Sequence, residues 1–217
     1  MKLCFLGDSH AAQHLSRAAA EKGFELCDLA DAELVFVSQD TPTDEAGRRD
    51  LGPIRALVER AMTGAAPVVL TSAVPPGFTR GLGMRSIWHQ AETLRMIDAE
   101  ERALRPEMLI VGSNTGVERI PDAYLVYLTA FGCPILRMTW EEAELAKVAI
   151  NVFLAAQVDT TNALAHAAAK VGASWERIAD VLRHDNRVGP HAYLEPGRWQ
   201  DSRHLLRDMR TLTRELV

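Results

Sequence analysis

The stretch 139–170, TWEEAELAKVAINVFLAAQVDTTNALAHAAAK, decides the fold of the C-terminal part of this chain. It contains neither Gly nor Pro, the residues that most disfavour helix interiors, and most of its residues are Ala, Val, Ile, Leu or Phe. Thr139 and Glu142 have the spacing of a capping box at its start, and Gly172 stands where a helix C-cap is expected. The stretch therefore predicts one long uninterrupted helix.

Three polar residues share one face of this predicted helix. Glu144, Lys147 and Asn151 follow one another at spacings of three and four residues, so they form a row along the helix. A lysine and an asparagine one turn apart can hold an oxygen atom that gains negative charge, and the lysine can transfer a proton. The alternative is an amphipathic core helix with a single lysine that extends to solvent.

The chain before this helix alternates between strand and helix patterns. The predicted strands cover 3–6, 24–28, 33–38, 67–72, 108–111 and 135–138. The predicted helices in the same part cover 9–22, 53–62 and 122–130. This alternation predicts an α/β fold, a Rossmann-like parallel sheet with helices on both faces, over residues 1–138. Residues 139–217 are predicted to form an all-helical dimerisation region, with further helices at 175–183 and 203–216.

The turn after the first strand resembles a dinucleotide-binding turn. Its sequence, GDSHAA from Gly7, keeps only the first glycine of the G-x-G-x-x-G fingerprint, but Ser9 and Ala12 are small. Asp28 lies 21 residues after Gly7, near the offset at which an acidic residue binds the adenine ribose of NAD. Asp8 would repel phosphates, so a Rossmann-like sheet that no longer binds a nucleotide is the alternative.

Composition narrows the classes of function. The chain has 217 residues, a net charge of −5 and no run of Lys or Arg, which argues against nucleic acid as a partner. The cysteines Cys4, Cys27 and Cys133 lie far apart, and their spacing predicts neither a disulfide framework nor a metal site. No apolar run is long enough to span a membrane, and the N-terminus does not have a signal-peptide pattern, so we expect a cytoplasmic protein.

Several segments, in chain order, resemble motifs of the UDP-glucose/GDP-mannose dehydrogenase family. The matching segments are 2–12, 37–43, 71–77, 91–94, 143–151, 185–189, 196–197 and 207–208. The specific part is Glu-Leu-x-Lys-x-x-x-Asn from Glu144, followed downstream by Asp-Asn-Arg-Val-Gly from Asp185. The resemblance implies oxidation of the C6 alcohol of a nucleotide sugar to the acid by two NAD.

The resemblance also implies roles for individual residues. Lys147 and Asn151 would hold the reacting oxygen, Glu92 would act on water or hold substrate, and Asp208 would support the base chemistry. Arg187 would reach the nucleotide sugar of a partner subunit in a homodimer formed through the helix 139–171. The implied cofactor-binding residues are Gly7, Ser9, Ala12, Asp28, Thr41 and Ser72. The implied substrate-binding residues are Leu94, Arg95 and Arg187.

This sequence departs from the family pattern at the chemical step. His204 stands where the family has its nucleophilic cysteine, no cysteine follows Cys133, and an imidazole does not simply replace the thiolate of a thioester. His204 is therefore only a candidate stand-in. Ala73 stands where the family has threonine, and the segment between the second strand and Glu33 is too short for a strand and helix of the cofactor domain. We also expect the family's C-terminal nucleotide-sugar domain to be absent after Val217.

Three functions remain open from the sequence. The first is an NAD-dependent nucleotide-sugar dehydrogenase-like protein that oxidises a sugar alcohol by hydride transfer, with the thioester step lost. The second is a small 3-hydroxyacid dehydrogenase that uses Lys147 and Asn151 and needs no cysteine. The third is a non-catalytic dimeric module derived from the dehydrogenase.

Overall fold

The computed structural model describes residues 1–44, 48–84 and 86–216, with the side chains of 214–216 left out of the description. The chain divides into two compact units, Met1–Lys147 and Val148–Val217. The division falls inside the long helix. Sequence patterns place the change of architecture earlier, at residues 138 and 139, and that boundary stays a prediction.

The first unit contains a seven-stranded sheet in the order β2-β1-β3-β4-β5-β6-β7. Its strands are β1 (Lys2–Leu6), β2 (Glu25–Leu26), β3 (Leu34–Val37), β4 (Val68–Leu70), β5 (Ile87–Ala91), β6 (Leu109–Ser113) and β7 (Ile135–Thr139). Neighbouring strands run parallel except β5 and β6, which are antiparallel. The mostly parallel α/β sheet confirms the predicted fold class, and its one antiparallel pair involves β5, a strand that the sequence pattern did not predict.

Helices cover both faces of this sheet. They are α1 (His10–Glu21), α2 (Gly52–Ala61), α3 (Phe78–Gly81), α4 (Ala99–Leu104) and α5 (Asp122–Thr129). Alternate residues of a strand point to opposite faces, so Leu34 and Phe36 of β3 join the core under α1, α4 and α5, while Val35 and Val37 join the core under α2 and α3. The two cores hold the carboxyl ends of the parallel strands in fixed positions.

Strand β5 has no counterpart among the predicted strands because its sequence, IWHQA, places two polar residues together. Both are buried, with His89 2% exposed and Gln90 3% exposed. The Gln90 side-chain oxygen accepts a hydrogen bond of 3.0 Å from the hydroxyl of Tyr124 on α5. The segment pairs with β4 and β6 through its backbone, and Gln90 can be buried there because its side chain has a hydrogen-bond partner.

The connection between β2 and β3 is short, in agreement with the sequence. A single 3₁₀ turn, Leu29–Asp31, occupies it. Strand β2 has only two residues and forms one edge of the sheet, and Leu26 on it is 47% exposed.

The long helix α6 (Trp140–Lys170) begins and ends as its sequence predicts. The Glu142 carboxylate accepts a hydrogen bond of 2.7 Å from the Thr139 N–H, and this bond lowers the pKa of Glu142. At the other end Gly172 adopts a φ of 70°, and the N–H of Ala173 donates to the Ala168 carbonyl at 2.9 Å. No helix in the described ranges is long and apolar enough to cross a membrane.

The second unit is helical. After α6 it contains α7 (Trp175–His184), a 3₁₀ turn (Trp199–Asp201), α8 (Arg203–Arg210) and a π-helical turn (Thr211–Leu216). The helix expected over 203–216 therefore changes geometry after Arg210. Trp175, Ala179 and Leu194 form a small core, and the Trp175 indole N–H donates to the Leu194 carbonyl at 2.9 Å.

Candidate functional site

The turn between β1 and α1, which the sequence predicts to bind a cofactor, packs closely against Ser38. Gly7 has a φ of 106°, and a Cβ atom there would lie 2.2 Å from the Ser38 carbonyl oxygen, so only glycine fits. The Ser9 hydroxyl caps α1 by accepting the Ala12 N–H at 3.0 Å, and it also lies 2.9 Å from the Ser38 carbonyl oxygen. Ser9 is thus committed to holding the turn together.

The turn contains backbone N–H groups that would attract the phosphates of a nucleotide and a carboxylate that would repel them. Within the described part of the chain, the N–H groups of His10 and Ala11 at the start of α1 have no hydrogen-bond partner, as is usual in a first helical turn. The Asp8 carboxylate is exposed and accepts a hydrogen bond of 2.9 Å from the Gln39 side chain. A helix N-terminus favours anions in general, and the Asp8 carboxylate in this turn acts against them.

Asp28 follows β2 by two residues and is the neighbour of Cys27, which lines a groove. It is exposed, and its side chain makes no capping hydrogen bond to the 3₁₀ turn that follows. The groove has a volume of about 270 Å³. Its lining residues are Leu3, Phe5, Gly7, Ala12, Gln13, Ser16, Leu26 and Cys27.

Thr41 and Ser72 hold two loops at the carboxyl edge of the sheet together. Thr41 donates to the Ala73 carbonyl at 3.2 Å, and the Ser72 hydroxyl accepts the Gln39 N–H at 2.8 Å. Both residues are at least nine-tenths buried. Their cofactor-binding role stays a prediction.

Glu144 is a structural residue of the first unit. It is 1% exposed, and its carboxylate accepts hydrogen bonds from the Gly77 N–H at 2.6 Å and the Thr79 N–H at 2.8 Å. Burial raises the pKa of Glu144, although both hydrogen bonds act in the opposite direction. One turn later Lys147 is half-buried and has no hydrogen-bond or ion-pair partner among the residues that the structure describes.

Asn151 and Asp208 meet in the second unit. The Asn151 side-chain nitrogen donates to the Asp208 carboxylate at 2.6 Å, and Asn151 is 8% exposed while Asp208 is 1% exposed. The Arg207 guanidinium lies 2.9 Å from the other carboxylate oxygen and is itself buried. The structure thus brings together two candidate site residues that lie 57 positions apart and that were proposed for separate reasons.

The remaining candidates lie at exposed or self-paired positions. His204 is exposed in the first turn of α8. Arg187 pairs with Asp185 in a turn, with its Nη2 atom 2.7 Å from the carboxylate, and its side chain is 89% exposed.

Glu92 and its neighbours form a turn directly after β5. The Glu92 carboxylate accepts the N–H of Leu94, and Arg95 pairs with the carboxylate of Asp98. The Arg95 guanidinium is the main cause of a lowered pKa for Asp98. One turn thus contains Glu92, Leu94 and Arg95. These hydrogen bonds lie within the turn, and the roles of the three residues in substrate binding and catalysis stay predictions.

Sequence reasoning missed how tightly α6 holds the segment 193–199. Thr161 donates to the Tyr193 carbonyl at 2.8 Å, and Asn162 exchanges two hydrogen bonds with Gly197, at 2.8 and 2.9 Å. The Trp199 indole N–H donates to Asp159 at 2.7 Å. The polar residues in the otherwise apolar second half of α6 were the available signal.

Comparisons with known proteins agree with this architecture. Residues 141–216 match the model of the central domain of the UDP-glucose/GDP-mannose dehydrogenase family. The chain is 31% identical over 182 residues to UDP-glucose 6-dehydrogenase of Pseudomonas aeruginosa, covering 75% of this chain and 40% of that protein. It is 26% identical over 182 residues to the Rickettsia bellii enzyme of the same name, covering 78% of this chain and 42% of that protein.

A solved structure shares the fold. A UDP-glucose dehydrogenase from Pyrobaculum islandicum superimposes with a TM-score of 0.72 at 20% identity, covering 97% of this chain and 67% of that one. The chain spans about two-fifths of the length of the two bacterial relatives.

Proposed function

Because this chain belongs to the UDP-glucose/GDP-mannose dehydrogenase family, we propose that it oxidises the alcohol of a nucleotide sugar by hydride transfer to NAD, with the thioester step lost. The observation that carries the proposal is the buried hydrogen bond between Asn151 and Asp208. A carboxylate only accepts hydrogen bonds, so Asp208 fixes the amide nitrogen of Asn151 toward itself and sets the orientation of the whole amide.

The roles of the residues follow from this orientation. The amide nitrogen of Asn151 carries a second N–H, which can donate to the sugar hydroxyl as negative charge develops on its oxygen. Lys147, one turn earlier on α6, would take the hydroxyl proton and pass it to water. The alcohol loses one hydride and one proton in this step, and the product is an aldehyde.

The cofactor-facing residues fit a dinucleotide in part. The free N–H groups of His10 and Ala11 would hold the pyrophosphate, Gly7 would allow close approach of the backbone, and Asp28 would accept the ribose hydroxyls. NAD, when bound, supplies the hydride acceptor. The Asp8 carboxylate in the same turn weakens the fit, so we expect lower affinity than a full glycine fingerprint would give.

The loss of the second oxidation rests on position 204. His204 is exposed in the first turn of α8 and offers no thiol for a thiohemiacetal. The proposal therefore limits turnover to one hydride per sugar. We further propose that the chain acts as a homodimer through α6, whose exposed Phe153 and Leu164 would then be covered.

The test is the stoichiometry of NADH formation with a panel of UDP- and GDP-sugars. One NADH per sugar and an aldehyde product support the proposal, whereas two NADH per sugar would show that the acid is made. Lys147→Ala should abolish NADH formation, and Lys170→Ala, an exposed lysine at the end of the same helix, should not. Activity confined to 3-hydroxy acids would instead select the small hydroxyacid dehydrogenase.

The exposed carboxylate of Asp8 favours one alternative, a non-catalytic dimeric module. Calorimetry with NAD distinguishes this non-catalytic module from the proposed dehydrogenase. Absence of binding at millimolar cofactor, together with silence across the sugar panel, would select the non-catalytic module.

A further inference from the structure

A pair of histidines stands on the first two turns of α1. His10 and His14 are four residues apart, and their Nε2 atoms lie 3.0 Å from each other. The ring centroids are 4.4 Å apart with the ring planes inclined by 60°. Both side chains are half-buried, so one edge of the pair is open to solvent.

We propose that His10 and His14 form a two-imidazole chelate for a divalent first-row transition-metal ion, with copper(II) preferred, and nickel(II) preferred over zinc. Two histidines at positions i and i+4 of a helix can bind one metal because both rings project from the same face. The proposal does not depend on dehydrogenase activity.

The separation of the two nitrogens selects the metal. An ion about 2.1 Å from both Nε2 atoms would make an N–metal–N angle of roughly 90°. Adjacent positions of a tetragonal copper(II) or nickel(II) site have this angle, whereas tetrahedral zinc needs a wider one. The general affinity order of divalent ions also places copper(II) first.

The hydrogen-bonding state of the pair also leaves it open to metal. The Nδ1 atom of His14 is buried without a partner in the described structure, so no neighbouring group fixes the tautomer of the ring. Without metal, one Nε2–H donates to the other Nε2. With metal, both Nε2 lone pairs face the ion and the protons sit on the Nδ1 atoms.

Water would complete the coordination. The described residues contain no group of three or more His, Cys, Asp or Glu side chains placed to hold a metal. The cysteine spacing that argues against a metal site in the sequence does not bear on an imidazole pair.

The test is titration of the full chain with copper(II) alone, followed by calorimetry and by electron paramagnetic resonance. We expect one ion per chain and a spectrum with two equatorial nitrogens. His10→Ala and His14→Ala should each weaken binding by roughly tenfold or more, because one chelating nitrogen is lost. The matched control is His166→Ala, which removes an exposed histidine from α6.

A measurement on the unaltered protein covers variants that fail to fold. Zinc or nickel should shift or broaden the imidazole NMR signals of His10 and His14 before those of other histidines. Copper affinity unchanged in the double variant, a spectrum with one nitrogen or none, or metal effects first at other histidines would each overturn the proposal.

Discussion

Acidification should destabilise the first unit through His89, a histidine on β5 with 2% exposure and a buried Nδ1 atom that lacks a partner in the described structure. Burial lowers the pKa of His89 from 6.5 to about 4 in the folded protein, and the unfolded chain keeps the ordinary value. As pH falls from about 6.5 to about 4, the unfolded chain takes up a proton that the folded one does not. One pKa unit corresponds to about 1.4 kcal/mol, so the free energy of unfolding should fall by about 3 kcal/mol across this window.

The assay is urea unfolding at a series of pH values between 7.5 and 4, an interval chosen to span about one unit beyond the pKa of an ordinary histidine. Other groups titrate in the same interval, so the informative quantity is the difference between the unaltered chain and His89→Leu. The variant should lose stability less steeply below pH 6.5. The exposed His166→Leu should follow the unaltered chain. Parallel curves for the unaltered chain and His89→Leu would refute the reasoning.

Three further substitutions test the packing by urea unfolding. Gly7→Ala should lower the free energy of unfolding by about 3 kcal/mol or more, because the added Cβ atom clashes with a carbonyl oxygen and the backbone has a positive φ. The control Gly23→Ala, at a φ of 86° with open space around it, should lower it by only about 1 kcal/mol. Equal losses in the two variants would contradict the clash at Gly7. Asp208→Asn should lower the free energy of unfolding by about 1–3 kcal/mol, because it removes the charge from two buried hydrogen bonds; an unchanged midpoint would count against that role. Tyr124→Phe should lower the free energy of unfolding by about 1–2 kcal/mol, because the Gln90 side chain loses its buried hydrogen-bond donor. An unchanged free energy of unfolding would show that this hydrogen bond makes no net contribution to stability.

Local sequence patterns predicted most of the helices and strands. The capping box at Thr139 and the positive φ of Gly172 are decided by residues within a few positions, so the bounds of α6 could be read directly. The sequence did not predict strand β5, because His89 and Gln90 break the apolar pattern, and the buried partner of Gln90 is a tyrosine 34 positions away. Tertiary context overrides local preference at such a position.

In the candidate site, too, features set by local spacing could be predicted and features set by long-range contacts could not. A sequence places Lys147 and Asn151 on one helix face because helical spacing is local. The hydrogen bond from Asn151 to Asp208 spans 57 positions, and only the family resemblance brought Asp208 into consideration. The hydrogen bond from Ser9 to the Ser38 carbonyl and the two bonds that Glu144 accepts from Gly77 and Thr79 join segments far apart in the chain, so they have no local signature.

The reciprocal amide pair of Asn162 and Gly197 has a consequence for how the second unit opens. A proline–glycine loop is ordinarily a site of easy proteolytic nicking, since little free energy is needed to expose it. Here the loop is bonded to α6 at Asp159, Thr161 and Asn162, two or more turns before the helix ends. Amide exchange at Gly197 should therefore be slower than in an unbonded loop, and Asn162→Ala should speed both that exchange and proteolysis of the loop.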